Sequence, residues 1–187
     1  MPLGAARFGL LGGVADLGKL ELIETKTISS ASSAIFTSID ESTYNVHFLT
    51  INNVINSDLF SNLRLRFFES GVEESASVYQ EAIQYGYIGV GFGESRTTAQ
   101  DYLKCTFDSG NATNETSCNY TYFYNLGDSS KYSFTTSQHN TMANAGNLIM
   151  GFGSGVLPQA STVDQIKLFV TSGTFSATAS LYGIAES

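Results

Sequence analysis

The sequence contains no tryptophan, two prolines, two cysteines and two histidines in 187 residues. Each scarcity removes a class of chemistry. Two cysteines cannot build a disulfide framework, and the pair offers too few local ligands for a zinc site. Only His47 and His139 could act as an imidazole base. Basic residues are scarce too, 9 against 17 acidic, for a net charge of −8. That balance argues against nucleic acid, whose phosphates call for a basic face, and against an anionic membrane surface. No apolar run approaches the ~20 residues that span a bilayer. The N-terminal "FGLLGGVA" is broken by glycine and soon meets Asp16, so it does not read as an export signal.

What is present suits an all-β protein. Ser and Thr together number 42, with 10 Tyr, 13 Phe and 18 Gly. Aromatic and β-branched residues fit a pleated, half-buried surface, and Ser and Gly fit the turns between strands. From Leu20 onward, period-2 runs recur between turn signals. "LRLRFFE" alternates Leu63, Leu65 and Phe67 against Arg64 and Arg66. "DQIKLFV" sets Ile166, Leu168 and Val170 inward, and "TFSATASLYGI" does the same with Phe175, Ala177, Ala179 and Leu181. "YNVHFLTI" places Tyr44, Val46 and Phe48 on one face, "CNYTYFY" groups Cys118, Tyr120, Tyr122 and Tyr124, and "KYSFTT" pairs Tyr132 with Phe134. With "LELIETKTI" and "NLIMGF" these make eight or more strands, and their spacing predicts a two-sheet antiparallel sandwich. One stretch dissents: "EESASVYQEAIQ", Glu73 to Gln84, has apolar residues at helical spacing and predicts a short helix. The two "GFG" triplets, at Gly91 and at Gly151, read as strand-end glycines.

Several chemical motifs fail on inspection. Gly13, then Gly18-Lys19, nearly spells a phosphate-binding loop, but Leu20 stands where the magnesium-binding hydroxyl belongs. Ser154 in "GFGSGV" lacks the first glycine of a nucleophile elbow. His47 is expected on a strand face and His139 in a loop. The adjacent carboxylates Asp40/Glu41 and Glu73/Glu74 read as solvated loop charge, although Glu81 and Asp101 could meet across a sheet. No calcium loop is spelled. The expectation is therefore no catalytic residue, no cofactor and no metal. Cys105 and Cys118 flank "TFDSGNATNETS", a polar segment that reads as a hairpin tip carrying sequons at Asn111, Asn114 and, just beyond it, Asn119. If the flanking strands pair, the thiols could form a disulfide; otherwise both stay free and half-buried. Tyr85, Tyr87, Tyr120, Tyr122 and Tyr124 could form a sugar-binding platform, but alternating strand aromatics usually belong to the core because they bury so much area.

Residues 1–18 are compositionally distinct, Gly- and Ala-rich, and cannot bury Phe8, Leu10 and Leu11 alone. They read as an extended N-terminal arm that binds a partner, followed by a β-domain over 19–187. In the β-domain "LELIETKTISSASSAIFTSI", "YNVHFLTINNV", "LRLRFF", "SSKYSFTT" and "ASLYGIAES" together resemble a family of small virion structural proteins of marine tailed bacteriophages. The likeness runs from about Leu20 to Ile184, and the leader "MPLGAARFG" resembles the N-termini of such proteins. The resemblance implies a jelly-roll-like sandwich displayed in many copies on a particle, and transfers no functional residue. Its partners would be copies of itself, as a homotrimer by fold analogy, and the major capsid protein or tail proteins. A capsid decoration role is expected; the alternative is a tail or baseplate appendage recognising a host surface glycan.

Overall fold

The computed structural model describes residues 19–144 and 146–185. The arm residues Phe8, Leu10 and Leu11 lie outside them. The described chain forms thirteen strands: β1 (Leu20–Ala31), β2 (Ser33–Phe36), β3 (Val46–Asn56), β4 (Arg64–Glu69), β5 (Val72–Glu73), β6 (Tyr79–Tyr87), β7 (Gly91–Gln100), β8 (Leu103–Lys104), β9 (Ser117–Tyr124), β10 (Ser133–Ala143), β11 (Asn147–Leu157), β12 (Val163–Phe169) and β13 (Phe175–Ile184). Eight form one antiparallel sheet in the order β1-β13-β3-β9-β10-β11-β6-β7. A smaller sheet runs β2-β12-β4-β5, with β8 also paired to β4. The two pack as the expected all-β antiparallel sandwich, with the chain crossing repeatedly between sheets.

The alternating runs place the core where their period requires it. Leu65 and Phe67 of β4, Ile166 and Leu168 of β12, and Ala179 and Leu181 of β13 are buried between the sheets. Leu49 and Ile51 of β3 and Phe123 of β9 meet them from the larger sheet, with the Phe67 and Phe123 rings 6.0 Å apart edge to face. Each fully buried large apolar side chain contributes about 1.5–3 kcal/mol. On β4 the intervening Arg64 and Arg66 turn outward, as the pleat demands. Ser70 and Gly71, both at positive φ (52° and 75°), make the two-residue turn into β5 that suits a right-twisted hairpin.

The helix expected over residues 73–84 is instead β5, a short turn and β6. Tyr79, Glu81 and Ile83 are all buried while Gln80, Ala82 and Gln84 are exposed, so a period of two prevails there. Pairing on both sides, to β11 and β7, satisfies the β6 backbone in a way an isolated helical turn could not. The Tyr79 hydroxyl is also built in: it accepts from the Phe67 N–H at 3.0 Å and donates to the Glu74 carbonyl at 3.1 Å. Tyr79→Phe would orphan that buried N–H and is expected to cost about 1–3 kcal/mol in urea unfolding. The second "GFG" triplet lies within β11 rather than at its end. A Cβ on Gly151 would fall 2.2 Å from the His139 ring, and one on Gly153 would fall 2.3 Å from the Ala82 carbonyl.

Cys105 and Cys118 do not flank a hairpin. The segment 105–116 carries the chain from β8, in the smaller sheet, to β9, in the larger one. Asn119 points inward and donates to the Cys105 carbonyl at 3.0 Å, so its neighbour Cys118 faces the opposite side. Both thiols are free, Cys105 buried and Cys118 exposed. Asn111 and Asn114 are exposed on this crossing loop, but Asn119 is buried.

Candidate functional site

Strand β9 inverts the hydropathy its sequence suggests. Ser117, Asn119, Thr121 and Phe123 face the interior, while Cys118, Tyr120, Tyr122 and Tyr124 face outward, against the expectation that the tyrosines are core. The cause is the crossing loop. Beyond the reach of the smaller sheet, the inner face of β9 and β10 meets the polar backbone of residues 105–110, which needs hydrogen-bonding partners. Asn119 supplies one to Cys105, Thr121 donates to Asn119 at 2.9 Å, and Ser109 donates to Thr106 at 3.1 Å. The aromatic residues are left on the other side.

Register then assembles a continuous outer surface. One row crosses from Tyr182 to Phe48, Tyr122, Thr136, Ser154 and Ala82; the next crosses from Ser180 to Thr50, Tyr120, Gln138, Phe152 and Gln84. At about 4.8 Å per strand, the eight strands span on the order of 34 Å. The charged residues of β1 (Glu21, Glu24 and Lys26) pair with Gly183, Leu181 and Ala179 on the inward face, and Glu81 of β6 is buried. Among the described residues of these eight strands, the charged side chains sharing the outer face are Glu94 and Arg96 of edge strand β7, which pair with each other at 3.5 Å. The smaller sheet presents the opposite character. Its outer face carries Arg66 bonded to Glu73 (2.8 Å) and Asp101, Lys167 bonded to Glu73 (2.7 Å), and Arg64 stacked on Tyr102. Burial resists ionisation of Glu73, but Arg66 and Lys167 prevail and hold its carboxyl below the usual range. Glu73 is therefore not the solvated loop charge expected of it.

The outer face of the large sheet has two centres. At the β13-β3-β9 end, the Phe48 ring is ringed by Tyr122 at 4.6 Å, Tyr120 at 6.1 Å and Tyr182 at 6.3 Å, tilted 37–45° to it. The Tyr120 hydroxyl donates to the Gln138 side-chain carbonyl at 2.7 Å. At the β6-β7 end the hairpin tip is apolar: Ile88, Val90 and Phe92 are 60%, 81% and 89% exposed. Ile88 and Phe92, with Leu148 and Met150, line a cleft of about 330 Å³. At the end of β6 and β7 away from the hairpin tip, the same face carries a shallow groove of about 600 Å³ lined by Ala82, Arg96, Phe134, Ser154 and Val156.

The other residues singled out from sequence are dispersed. Glu81 and Asp101 are held by different cations: Glu81 accepts from the Lys104 N–H at 2.7 Å with the Lys104 ammonium at 3.4 Å, whereas Asp101 binds Arg66. Burial raises the Glu81 pKa. His47 is buried on β3, as expected of a strand residue, and its Nε2 donates to the Ile39 carbonyl at 2.6 Å. His139 is not in a loop. It is buried on β10, stacked 5.3 Å from Phe107, which packs 5.2 Å from Tyr85. Burial lowers its pKa to about 4. Tyr85 and Tyr87 thus lie on the inner side, lining a cleft of about 290 Å³ with Phe107 and Asp108, apart from the other tyrosines. Ser154 is exposed on β11. What sequence reasoning missed is the outer face as a unit; its signal is that, apart from Glu94 and Arg96 on edge strand β7, the charges of the eight strands fall on the inward parity, which becomes visible only once register is known.

No protein-family model and no curated protein matches the chain. Among solved structures it is similar to a fructofuranosidase from Schwanniomyces occidentalis complexed with fructosylnystose, at 9% identity and a TM-score of 0.30, over 92% of this chain but only 35% of that one. It is also similar to a human SPRY domain, at 6% identity and a TM-score of 0.30, over 86% of this chain and 97% of that one. Neither likeness, at these scores, bears on what the chain binds or does.

Proposed function

We propose that this chain is a non-enzymatic structural protein of a bacteriophage virion, displayed on the particle surface as a capsid decoration protein and held there by apolar contacts. The observation that carries the reading is the β6-β7 hairpin tip. Ile88, Val90 and Phe92 project into solvent beside Leu148 and Phe152, more apolar surface in one place than scattered exposed residues account for. Such a patch is suited to burial against a neighbouring protein. Among the described residues β1 and β7 are also the edges of the same sheet, which favours contact with further copies of the chain in a homotrimer. The arm with Phe8, Leu10 and Leu11 would add a second attachment. Placement on the tail or baseplate as a receptor-binding module is the alternative, and it draws on the tyrosine cluster instead.

Quantitative mass spectrometry of gradient-purified particles tests the reading: copy number on the scale of the shell supports decoration. A few copies would move the protein to the tail, and absence would overturn the virion assignment. Phe92→Ser should weaken re-binding to stripped particles while changing stability by no more than about 0.5 kcal/mol, because so little of the ring is buried. Deleting residues 1–18 should likewise release the protein with its β-domain still folded.

A further inference from the structure

We propose that the Phe48, Tyr120, Tyr122 and Tyr182 cluster is a carbohydrate-binding platform for a neutral polysaccharide. This goes beyond particle attachment and does not depend on it. Three features of the cluster converge on that ligand. First, the rings crowd around Phe48, with centroids 4.6–6.3 Å from it and tilts of 37–45°, while Tyr120 and Tyr122 meet edge to face at 81°. That builds a ridged apolar floor on the outer face of the sheet, and the C–H faces of pyranose rings stack on aromatic faces of this kind. Second, hydrogen-bonding groups border the floor in register. Thr50 and Gln138 flank Tyr120 on the same row. The Tyr120 hydroxyl spends its proton on the Gln138 carbonyl oxygen at 2.7 Å, which fixes the side-chain amide with its NH₂ free to donate and leaves the Tyr120 oxygen free to accept. A sugar hydroxyl, both donor and acceptor, matches that pair.

Third, charge complementarity selects the class of polymer. In a chain of net charge −8, no described residue of the outer face around the cluster is charged; the nearest members of its rows that are charged are Glu94 and Arg96, at the far edge. An anionic polysaccharide would find no cation there, whereas a neutral one needs none. A protein partner fits this end less well than it fits the hairpin tip. Phe48, Tyr122 and Tyr182 are half-buried and Tyr120 is 39% exposed, so the cluster lacks the projecting anchors that a partner's pockets would grip.

Affinity electrophoresis of the full chain in native gels tests the inference. The gels contain dextran, soluble starch, hydroxyethyl cellulose or galactomannan, with alginate as the anionic control. At least one neutral polymer is expected to retard the wild type and alginate to leave it unretarded. Tyr122→Ala and Gln138→Ala should each weaken the interaction about tenfold, and Phe92→Ser should leave it unchanged. If Tyr122→Ala alters the circular dichroism spectrum, Gln138→Ala and Tyr120→Phe, both at the solvent surface, carry the test. Failure of every neutral polymer to retard the wild type would overturn the inference. Retardation by alginate alone, or wild-type retardation of the Gln138 and Tyr120 variants, would do the same. So would self-association in sedimentation velocity that Tyr122→Ala abolishes, since a second copy would then occupy the face.

Discussion

Phe123→Ala is expected to lower the thermal midpoint by about 6–20 °C. The ring is fully buried on the inner face of β9 and meets Phe67 of the smaller sheet edge to face at 6.0 Å. It is therefore one of the side chains through which the two sheets touch. Truncation loses its transfer free energy and leaves a cavity that backbone pairing on both sides of β9 prevents from collapsing, a combination that costs about 3–5 kcal/mol. In a domain of this size each kcal/mol moves the midpoint by about 2–4 °C. The adjacent substitution sharpens the test. Tyr122→Ala removes a ring of similar size from the outer face, where water can replace it, and should cost about 1 kcal/mol. Differential scanning calorimetry of both variants reads the contrast. Equal losses would mean that β9 does not present Phe123 to the core and its tyrosines to solvent.

Acid should destabilise the fold well before its exposed carboxylates protonate. His139 is 2% exposed, stacked on Phe107, and its Nε2 has no hydrogen-bond partner. Burial holds its pKa at about 4, against about 6.5 in the unfolded chain. The unfolded state therefore takes up the proton first as pH falls. Stability is undiminished above about pH 6.5, declines as pH drops toward 4, and loses nothing more from this group below that. Integrated over the window the loss is about 3 kcal/mol. Buried His47, its pKa also lowered, acts in the same direction. Glu81 opposes them: its raised pKa lets the folded state protonate first, which stabilises on acidification. Guanidinium unfolding from pH 7 to pH 4 on the wild type and His139→Phe isolates the one contribution. Whatever the offset of the variant at pH 7, its slope over the window should be shallower by most of that 3 kcal/mol. Parallel slopes would show that His139 is solvated and free to titrate.

The sequence by itself determined the class of fold and much of the core. Where one parity of a run is aliphatic and the other charged, as in Leu63, Leu65 and Phe67 against Arg64 and Arg66, only one orientation avoids burying charge, so the inward face is legible from the residues alone. The same logic holds for β12 and β13. It failed on β9 and β10, where both parities are uncharged and transfer energies barely separate Tyr from Thr or Asn at a half-buried position. There the decision was tertiary. The loop 105–116 lies against the inner face: the Cys105 carbonyl takes Asn119, Thr121 in turn bonds Asn119, and the Ser109 hydroxyl meets that of Ser117, leaving Tyr120 and Tyr122 outside. The helical spacing over Glu73–Gln84 lost to sheet pairing, because two flanking strands satisfy the β6 backbone. The fate of Cys105 and Cys118 also lay beyond the sequence, since whether thirteen residues of spacing bring two thiols together depends on which sheet each flanking strand joins. Of the candidate site, the sequence singles out only Tyr120 and Tyr122 as platform candidates; its assembly belongs to this second kind of information. Phe48, Tyr120 and Tyr182 come from three strands remote in sequence, and only the order β13-β3-β9 sets their rings side by side.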